Sequence, residues 1–395
     1  MVAEIEAPHS KAPKSDQSAL QQFRAVTIAH PHLLSARERL MAILSDAPRN
    51  SVVFVMGPTG VGKSTLRAKV ESEISTTLAA QLRNDFERLP VVSVEAEAPD
   101  TGNFSWRDHF TRLLDTMREP LINYKLDRKG KPWGRGRPPV HFECGPRSSG
   151  AEFQYSVEQA VRFRRPVAVL IDEAQHLMKM SSGRRLVDQL DVIKSIANHA
   201  ATPHVMIGTY DLLAFRNLNG QLSRRSLDVH FGRYRADRPG EAAIFLNVVR
   251  SFSAHLPLKA PDDLATNWEF LYERSIGCVG ILKDWLVQAL SVMLRRGAIH
   301  LELRDLEACA LSGNQCDKIL SECIEGEMRL DESDESRRRL RVRMGLPEVG
   351  LTKSRRNQSS VAEMHSQHCQ RTNRRPGQRL AKRDPIGIGV VVHAV

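Results

Sequence analysis

One short segment of the sequence places glycines, a lysine and two hydroxyls at a spacing that suits phosphate binding. Gly57, Gly62, Lys63 and Ser64 fit the pattern G-x-x-x-x-G-K-[ST]. Glycines let a backbone turn several N–H groups toward one point, and the helix that begins near Lys63 adds the positive end of its dipole. In such a loop the lysine contacts the outer phosphates and the serine holds Mg²⁺. We therefore predict a nucleotide site formed by Gly57, Pro58, Thr59, Gly60, Val61, Gly62, Lys63, Ser64 and Thr65.

A strongly apolar run, residues 167–171, is followed directly by Asp172 and Glu173. Parallel sheets bind ligands at the carboxyl ends of their strands, so this acidic pair is predicted to complete the site. We expect Asp172 to hold Mg²⁺ and Glu173 to orient and polarise the attacking water, because phosphoryl transfer depends mainly on placement and charge neutralisation. The alternative is an acidic strand end without a task.

Four further positions are candidates for contacts with the phosphates. Thr209 ends the next apolar run and could contact the γ-phosphate, or it could simply cap the strand. Arg224 and Arg225 precede another apolar run, where an arginine could complete the site of a neighbouring subunit; the alternative is a solvated charged turn. Lys283 could reach the nucleotide from a later helix, although a surface lysine is the simpler interpretation.

The segment 125–139 is rich in glycine, proline and positive charge, and it contains Trp133. Cations spaced by glycine and proline, together with aromatics, suit a contact that follows a nucleic-acid backbone. The alternative is a flexible solvated insertion. The candidate DNA-binding residues are Lys125, Arg128, Lys129, Lys131, Arg135 and Arg137.

The candidate residues need elements that hold them in place, and the sequence predicts strands alternating with helices. Apolar runs at 52–56, 91–98, 167–171, 204–209 and 227–231 indicate five strands. This pattern predicts an α/β domain with a mostly parallel sheet over residues 21–239. Residues 240–330 have an almost wholly helical pattern and predict a small second domain. The polar residues 1–20 and the arginine-rich residues 331–395 are predicted to be disordered.

Composition favours two domains and an anionic partner, since the chain has 395 residues and a formal net charge of +11. Apolar runs are too short to cross a membrane and the start is too polar for a signal peptide, so we expect a cytoplasmic protein without a membrane partner. The six cysteines contain no C-x-x-C pair, which argues against a zinc ribbon or a redox motif. Cys309, Cys316 and Cys323 recur every seven residues and are predicted to lie on one helical face as small core residues.

The order of these parts resembles that of AAA+ ATPases: a phosphate loop, an acidic strand end, a polar strand end, an arginine before the last strand and a helical lid. Within that class the chain resembles the TnsC/TniB family of transposon-encoded ATPases. The resemblance covers roughly residues 23–311 and is carried by the segments GPTGVGKSTL, FSWRDHFTRLLDTMREPLI, LIDEAQHL, IGTYDLL, NGQLSRRSLDVHFGRY and GCVGILKDWL. It implies an α/β P-loop AAA+ fold, with residues 240–330 as the lid.

The resemblance also implies a function. It implies ATP with Mg²⁺, and assembly of identical subunits on double-stranded DNA as a ring or filament. Such ATPases link a target-selecting protein of the TniQ type to the transposase, and hydrolysis remodels the oligomer. Thr209 would be the first sensor, and Arg224 or Arg225 the arginine finger. The second-sensor arginine of many AAA+ proteins has no evident counterpart, because Gly280 and Lys283 occupy that region.

Two other functions fit the same core chemistry. A helicase loader of the IstB/DnaC type would bind a replicative helicase and single-stranded DNA. A nucleotide-gated switch would bind ATP, hydrolyse it poorly and act by scaffolding protein partners; the intact Glu173 argues against it. The helix around Trp106 and the basic insertion favour the transposition regulator over the helicase loader.

Overall fold

The computed structural model describes residues 14–98, 104–120, 122, 150–179, 184–217, 226–257, 264–331 and 334–346. The chain divides into two compact units, Met1–Ser333 and Asp334–Val395. The whole basic segment 125–139, both candidate arginines Arg224 and Arg225, and the chain beyond residue 346 lie outside the described residues. The domain boundary predicted at residue 239 stays a prediction.

A five-stranded sheet forms the centre of the first unit, as the sequence predicts. Its strands are β1 (Val52–Met56), β2 (Val92–Glu95), β3 (Val169–Asp172), β4 (His204–Gly208) and β5 (Ser226–His230). The spatial order is β2-β3-β4-β1-β5, and every pairing is parallel. Because all strands run the same way, their carboxyl ends meet at one edge, where β3 and β4 lie side by side.

Both faces of the sheet are covered by helices, which explains why the strands are apolar without alternation. The helices up to β5 are α1 (Lys14–Ala25), α2 (Pro31–Asp46), α3 (Lys63–Thr77), α4 (Ala79–Leu82), α5 (Trp106–Thr116), α6 (Gly150–Arg164), α7 (Arg184–Ala200) and α8 (Leu212–Arg216). Val53 and Val55 pack in the core beneath α2 and α3. Phe54 and Met56 pack in the opposite core, with α5, α6 and α7.

The helices that follow β5 are α9 (Glu241–His255), α10 (Trp268–Ser275), α11 (Val279–Arg295), α12 (Leu303–Cys309) and α13 (Gly313–Leu330), with a short 3₁₀ helix at Leu264–Asn267. A third core joins α9, the 3₁₀ helix, α10, α11 and α12. Phe23 of α1 is part of this core, so the N-terminal helix packs with the C-terminal ones. No single helix in the described ranges is long and apolar enough to span a membrane, although Leu264–Ser275 and Val279–Arg295 meet that test as a pair bent by 114°.

Two predictions of disorder are wrong in part. Residues 14–20 lie in helix α1, and Leu20 packs against the core formed by the C-terminal helices. Residues 334–343, in the predicted tail, form helix α14 (Asp334–Arg343). An amphipathic pattern supplies the reason at the N-terminus, because Phe23 is fully buried and anchors the helix.

The cysteine prediction also fails, because the three residues do not share a helix. Cys309 ends α12, whereas Cys316 and Cys323 lie in α13. The helical structure is interrupted before α13 by a capping box. In it the side chains of Ser312 and Gln315 each accept a hydrogen bond from the backbone N–H of the other residue. Among the three, Cys323 is buried and the other two are half-buried.

Candidate active site

The loop between β1 and α3 has the backbone geometry that phosphate binding requires. Gly60 and Gly62 have φ angles of +73° and +110°, which residues with a side chain rarely adopt. Helix α3 begins at Lys63, so its N-terminal N–H groups and dipole point toward the loop. The glycine pattern predicted from the sequence therefore forms a turn followed by a helix N-terminus.

Lys63 is held inside this loop. Its Nζ donates to the carbonyl oxygens of Gly57 at 3.2 Å and Pro58 at 2.8 Å. Burial lowers the pKa of Lys63, while the negative charges of Glu173 and Asp172 act in the opposite direction. The two carboxylates are thus close enough to the ammonium to influence its charge. A phosphate at the loop would supply further negative charge at the same point.

Asp172 ends β3, and its carboxylate is buried and well bonded. One oxygen, Oδ1, accepts from the N–H of Glu173 at 2.9 Å, and Oδ2 lies 3.3 Å from Nε of Arg67. Arg67 belongs to α3 and also donates to Oγ of Ser93 at 3.1 Å. The sequence motif does not predict a role for Arg67, because this residue lies in α3 beyond the last position that the phosphate-loop pattern specifies.

The side chains at this edge fit a magnesium ion. Ser64, an exposed hydroxyl in the first turn of α3, and the carboxylate of Asp172 are hard oxygen donors of the kind that Mg²⁺ prefers. Two protein donors suit this ion, which usually retains waters and binds phosphate oxygens as well. Ser64 and Asp172 would hold it, and the ion would neutralise charge on the phosphates.

Glu173 is connected to the end of the neighbouring strand through one glutamine. Nε2 of Gln175 donates to the Glu173 carboxylate at 2.5 Å, and Oε1 of the same amide accepts from the N–H of Thr209 at 3.2 Å. The hydroxyl of Thr209 donates to Asp211 at 3.0 Å. Glu173 has a φ of +50°, an uncommon backbone conformation for a residue with a side chain. Gln175 and Asp211 are the polar residues of this edge that the sequence reasoning missed.

The first turn of α11 packs directly on the phosphate loop. The N–H of Ile281 donates to the carbonyl of Gly60 at 3.0 Å. A small cavity of about 40 Å³ lies beside this contact. Lys283 lines it, and its Nζ donates to the carbonyl of Arg24 at 2.8 Å. The lining residues come from the phosphate loop and α3, the segment after α1, α2, the end of β5, α9 and α11. They are Thr27, Ile28, His30, Leu33, Val61, Gly62, Thr65, Phe231, Phe252, Val279, Gly280 and Lys283.

A larger cavity of about 310 Å³ lies on the other side of the loop. It is bounded by Pro58 and Thr59, by the turn that follows β4, and by helix α13. Arg233 and Glu327 form a buried ion pair with distances of 2.9 and 3.2 Å, which ties α13 to the segment after β5. The cavity is lined by Pro58, Thr59, Thr209, Tyr210, Asp211, Lys318, Ile319, Glu322, Cys323, Glu325, Gly326 and Arg329.

The candidate residues therefore fall into two groups. The structure brings together the loop Gly57–Thr65 and the strand ends that carry Asp172, Glu173 and Thr209. Arg224 and Arg225 lie outside the described residues, as do Lys125, Arg128, Lys129, Lys131, Arg135 and Arg137. The roles assigned to those eight residues rest on the sequence alone.

One family model matches the α/β part of the chain. Residues 48–215 match the family model described as "AAA domain". A comparison with curated proteins finds no match. The five-stranded parallel sheet with its flanking helices and phosphate loop is the P-loop AAA+ fold that the sequence predicts.

Three solved structures are among those with similarity to the chain. The Aeropyrum pernix ORC2 protein, in ADPNP–ADP complexes, shares 13% identity over 74% of this chain and 72% of that chain, with a TM-score of 0.48. Drosophila ORC bound to DNA shares 14% over 78% and 68%, with a TM-score of 0.45. Cdc6p from Pyrobaculum aerophilum shares 14% over 84% and 74%, with a TM-score of 0.47.

Proposed function

We propose that this chain, which carries an AAA domain in a P-loop AAA+ fold, binds ATP with Mg²⁺ and hydrolyses it. One observation supports this most directly: Asp172, at the end of β3, lies 3.3 Å from Arg67 of α3, the helix that begins at Lys63, and Glu173 directly follows Asp172. A phosphate-binding cation, a metal-binding carboxylate and a second carboxylate thus share one edge of the sheet. Phosphoryl transfer needs this combination of placement and charge neutralisation.

Each residue has a task in this proposal. The N–H groups of Gly57–Thr65 and the Lys63 ammonium bind the phosphates, while Ser64 and Asp172 hold Mg²⁺. Glu173 accepts a hydrogen bond from the attacking water and orients it, and Thr209 contacts the γ-phosphate. Arg224 or Arg225 completes the site of a neighbouring subunit.

We further propose that hydrolysis serves DNA transposition. In this proposal ATP-bound subunits assemble on double-stranded DNA and link a target-selecting protein of the TniQ type to a transposase. The net charge of +11 and the TnsC/TniB-like motifs in the sequence support it. The basic segment 125–139 is the proposed DNA contact, and the cytoplasmic location predicted from the sequence belongs to the same proposal.

The hydrolysis proposal is tested by comparing ATP binding and turnover in three variants. Lys63→Ala should abolish nucleotide binding, because it removes the only side-chain cation predicted in the loop. Glu173→Gln should keep ATP binding and lower kcat by about 100-fold, the size of effect expected for loss of a positioned base. Lys69→Ala, an exposed lysine of the same helix, is the control and should behave as wild type. Turnover by Lys63→Ala at the wild-type rate would contradict the assignment of this loop.

The DNA proposal needs a separate measurement. Particle mass and ATPase rate are recorded with no DNA, with duplex DNA and with single-stranded DNA, at about 50 and 200 mM salt. We expect ATP-dependent oligomers on duplex DNA that weaken at the higher salt, and slower dissociation for Glu173→Gln than for wild type. A preference for single strands would favour the helicase loader, and indifference to both would favour the protein-only switch.

A further inference from the structure

We infer that Gln175 is a positioning residue that makes the orientation of the Glu173 carboxylate depend on the position of the strand end at Thr209. This inference rests on the proposed ATP hydrolysis, in which Glu173 orients the water. It adds a residue to which neither the sequence motifs nor the fold assigns a task.

The contacts of Gln175 use both ends of one planar amide. Its Nε2 donates to Oε2 of Glu173 at 2.5 Å, and its Oε1 accepts from the backbone N–H of Thr209 at 3.2 Å. Because the amide is rigid, its donor and acceptor cannot move independently of each other. A shift of Thr209 therefore rotates or translates the group that binds the Glu173 carboxylate.

The backbone around Gln175 is well anchored, which limits the positions that its side chain can take. Gln175 lies in the short 3₁₀ helix Ala174–Met178, in which the N–H of His176 donates to the carbonyl of Glu173 at 2.9 Å. Ala174 and Leu177, on either side of it, are completely buried. A half-buried side chain on a fixed turn has few rotamers available, which favours one defined contact pair.

The last residue of β4 leaves room for the glutamine amide. A Cβ atom placed on Gly208 would lie 2.4 Å from Oε1 of Gln175, which is closer than real contacts allow. It would also lie 3.0 Å from Leu212. The residue before Thr209 is therefore small enough for the amide to reach the strand end.

The arrangement predicts an effect on turnover and not on nucleotide binding. The two hydrogen bonds of the Gln175 amide go to Glu173 and Thr209, and neither involves the phosphate loop Gly57–Thr65. Its partner is the carboxylate proposed to orient the water, so misplacing that carboxylate lowers kcat. Thr209 is proposed to contact the γ-phosphate, so the same amide transmits the arrival of that phosphate to Glu173.

The first test replaces the amide by a side chain of similar length without hydrogen bonds. Gln175→Met should lower kcat by about 10- to 100-fold, with the Kd for ATP within about twofold of wild type. Gln154→Met is a matched control, because Gln154 also donates from Nε2 to a glutamate, Glu158, at 2.9 Å. That control should retain the wild-type kcat, since its glutamate lies on α6 outside the site.

A second test keeps the length of the side chain and removes only the donor. The carboxylate of Gln175→Glu can accept from the N–H of Thr209, but it cannot donate to Glu173. The value of kcat should therefore fall as it does for Gln175→Met, with the Kd for ATP within about twofold of wild type. A residue with a merely structural role would leave kcat unchanged in this variant.

A third test uses the space at Gly208. Gly208→Ala should lower kcat as Gln175→Met does, because it displaces the amide. In the Gln175→Ala background, Gly208→Ala should cause less than half of that loss on a logarithmic scale, since the side chain it displaces is gone. Full additivity of the two substitutions would overturn the inference.

The outcomes separate this inference from the proposed function. Hydrolysis by the wild-type chain, together with an unchanged kcat for Gln175→Met and for Gln175→Glu, would overturn the positioning role alone. A wild-type chain that binds ATP but shows no hydrolysis on any DNA would overturn both. A lower kcat with unchanged ATP binding in both variants would support the positioning role.

Discussion

The backbone N–H of Ile281 donates to the carbonyl oxygen of Gly60 at 3.0 Å, which fixes the first turn of α11 against the phosphate loop. The two residues are far apart in the sequence, yet they meet because Gly280 has no side chain. A Cβ atom on Gly280 would lie 2.4 Å from the same Gly60 oxygen. Helix α11, one of the helices that follow β5, therefore contacts the loop that is proposed to bind the phosphates.

Gly280→Ala tests this contact. The new methyl group meets a backbone oxygen that cannot rotate away, so α11 must move from the loop. We expect the Kd for ATP to rise about tenfold, equivalent to about 1.4 kcal/mol. The measurement is a titration with a fluorescent ATP analogue. Gly313→Ala is the control, because Gly313 also lies in the first turn of a helix and a Cβ there has its nearest neighbour at 4.0 Å.

Breaking the buried ion pair between Arg233 and Glu327 should be costly. Glu327→Ala leaves the Arg233 guanidinium buried without its bidentate partner, since the side chains are only 9% and 7% exposed. We expect a loss of about 3 kcal/mol in the free energy of unfolding, measured by urea denaturation. Arg235, 3.5 Å from the same carboxylate, would lose a second contact.

Helix α13 offers a matched control for that substitution. Glu325 pairs with Arg329 on the same helix, but both side chains are more than half exposed. Glu325→Ala should therefore change the free energy of unfolding by less than about 1 kcal/mol. Equal losses for the two alanine variants would show that burial of the Arg233 pair does not matter.

Three buried histidines should make the fold sensitive to mild acid. Burial lowers the pKa of His30, His109 and His204 from 6.5 to about 4. The unfolded chain then binds protons before the folded one as pH falls, so the free energy of unfolding is at its full value above pH 6.5. It should decline between pH 6.5 and about 4, by up to about 3 kcal/mol for each histidine.

The measurement for the histidines is urea denaturation at several pH values. His109→Gln should flatten the dependence over that window, because one of the three groups no longer titrates. His255→Gln is the control, since His255 is an exposed residue near the end of α9. An undiminished slope in the His109 variant would mean that other groups cause the acid sensitivity.

The parts of the site that the sequence predicts are those encoded locally. The loop Gly57–Thr65 and the acidic end of β3 each lie in one continuous segment, and their residue types follow from the geometry that phosphates and Mg²⁺ require. The strands were recognisable for the same reason, because burial on both faces makes each one a continuous apolar run. Their mutual pairing is parallel throughout.

The parts that the sequence does not predict depend on which strands become neighbours. Gln175 links Glu173 to Thr209 only because β3 and β4 lie side by side, an order that no local pattern contains. Ile281 meets Gly60 for a similar reason, through packing of α11. By contrast, the capping box at Ser312 and Gln315 was readable as S-x-x-Q, and it would have separated α12 from α13.

The hydroxyl of Thr209 already has a hydrogen-bond partner. It donates to Oδ2 of Asp211 at 3.0 Å, and a γ-phosphate contact would have to compete with that carboxylate. Thr209→Val keeps the shape of the side chain and removes the hydroxyl. We expect kcat to fall about 10-fold or more, with little change in the Kd for ATP, because the contact is proposed to form only with the γ-phosphate in place.

Asp211→Asn separates the two partners of the Thr209 hydroxyl. An amide oxygen competes less strongly for the hydroxyl than a carboxylate does, so the hydroxyl is freer to turn to the phosphate. We therefore expect kcat for Asp211→Asn to equal or exceed the wild-type value, opposite to the effect of Thr209→Val. Single-turnover hydrolysis measures both variants without interference from product release. A kcat for Thr209→Val equal to that of wild type would contradict the proposed γ-phosphate contact and leave Thr209 as a residue that caps the end of strand β4.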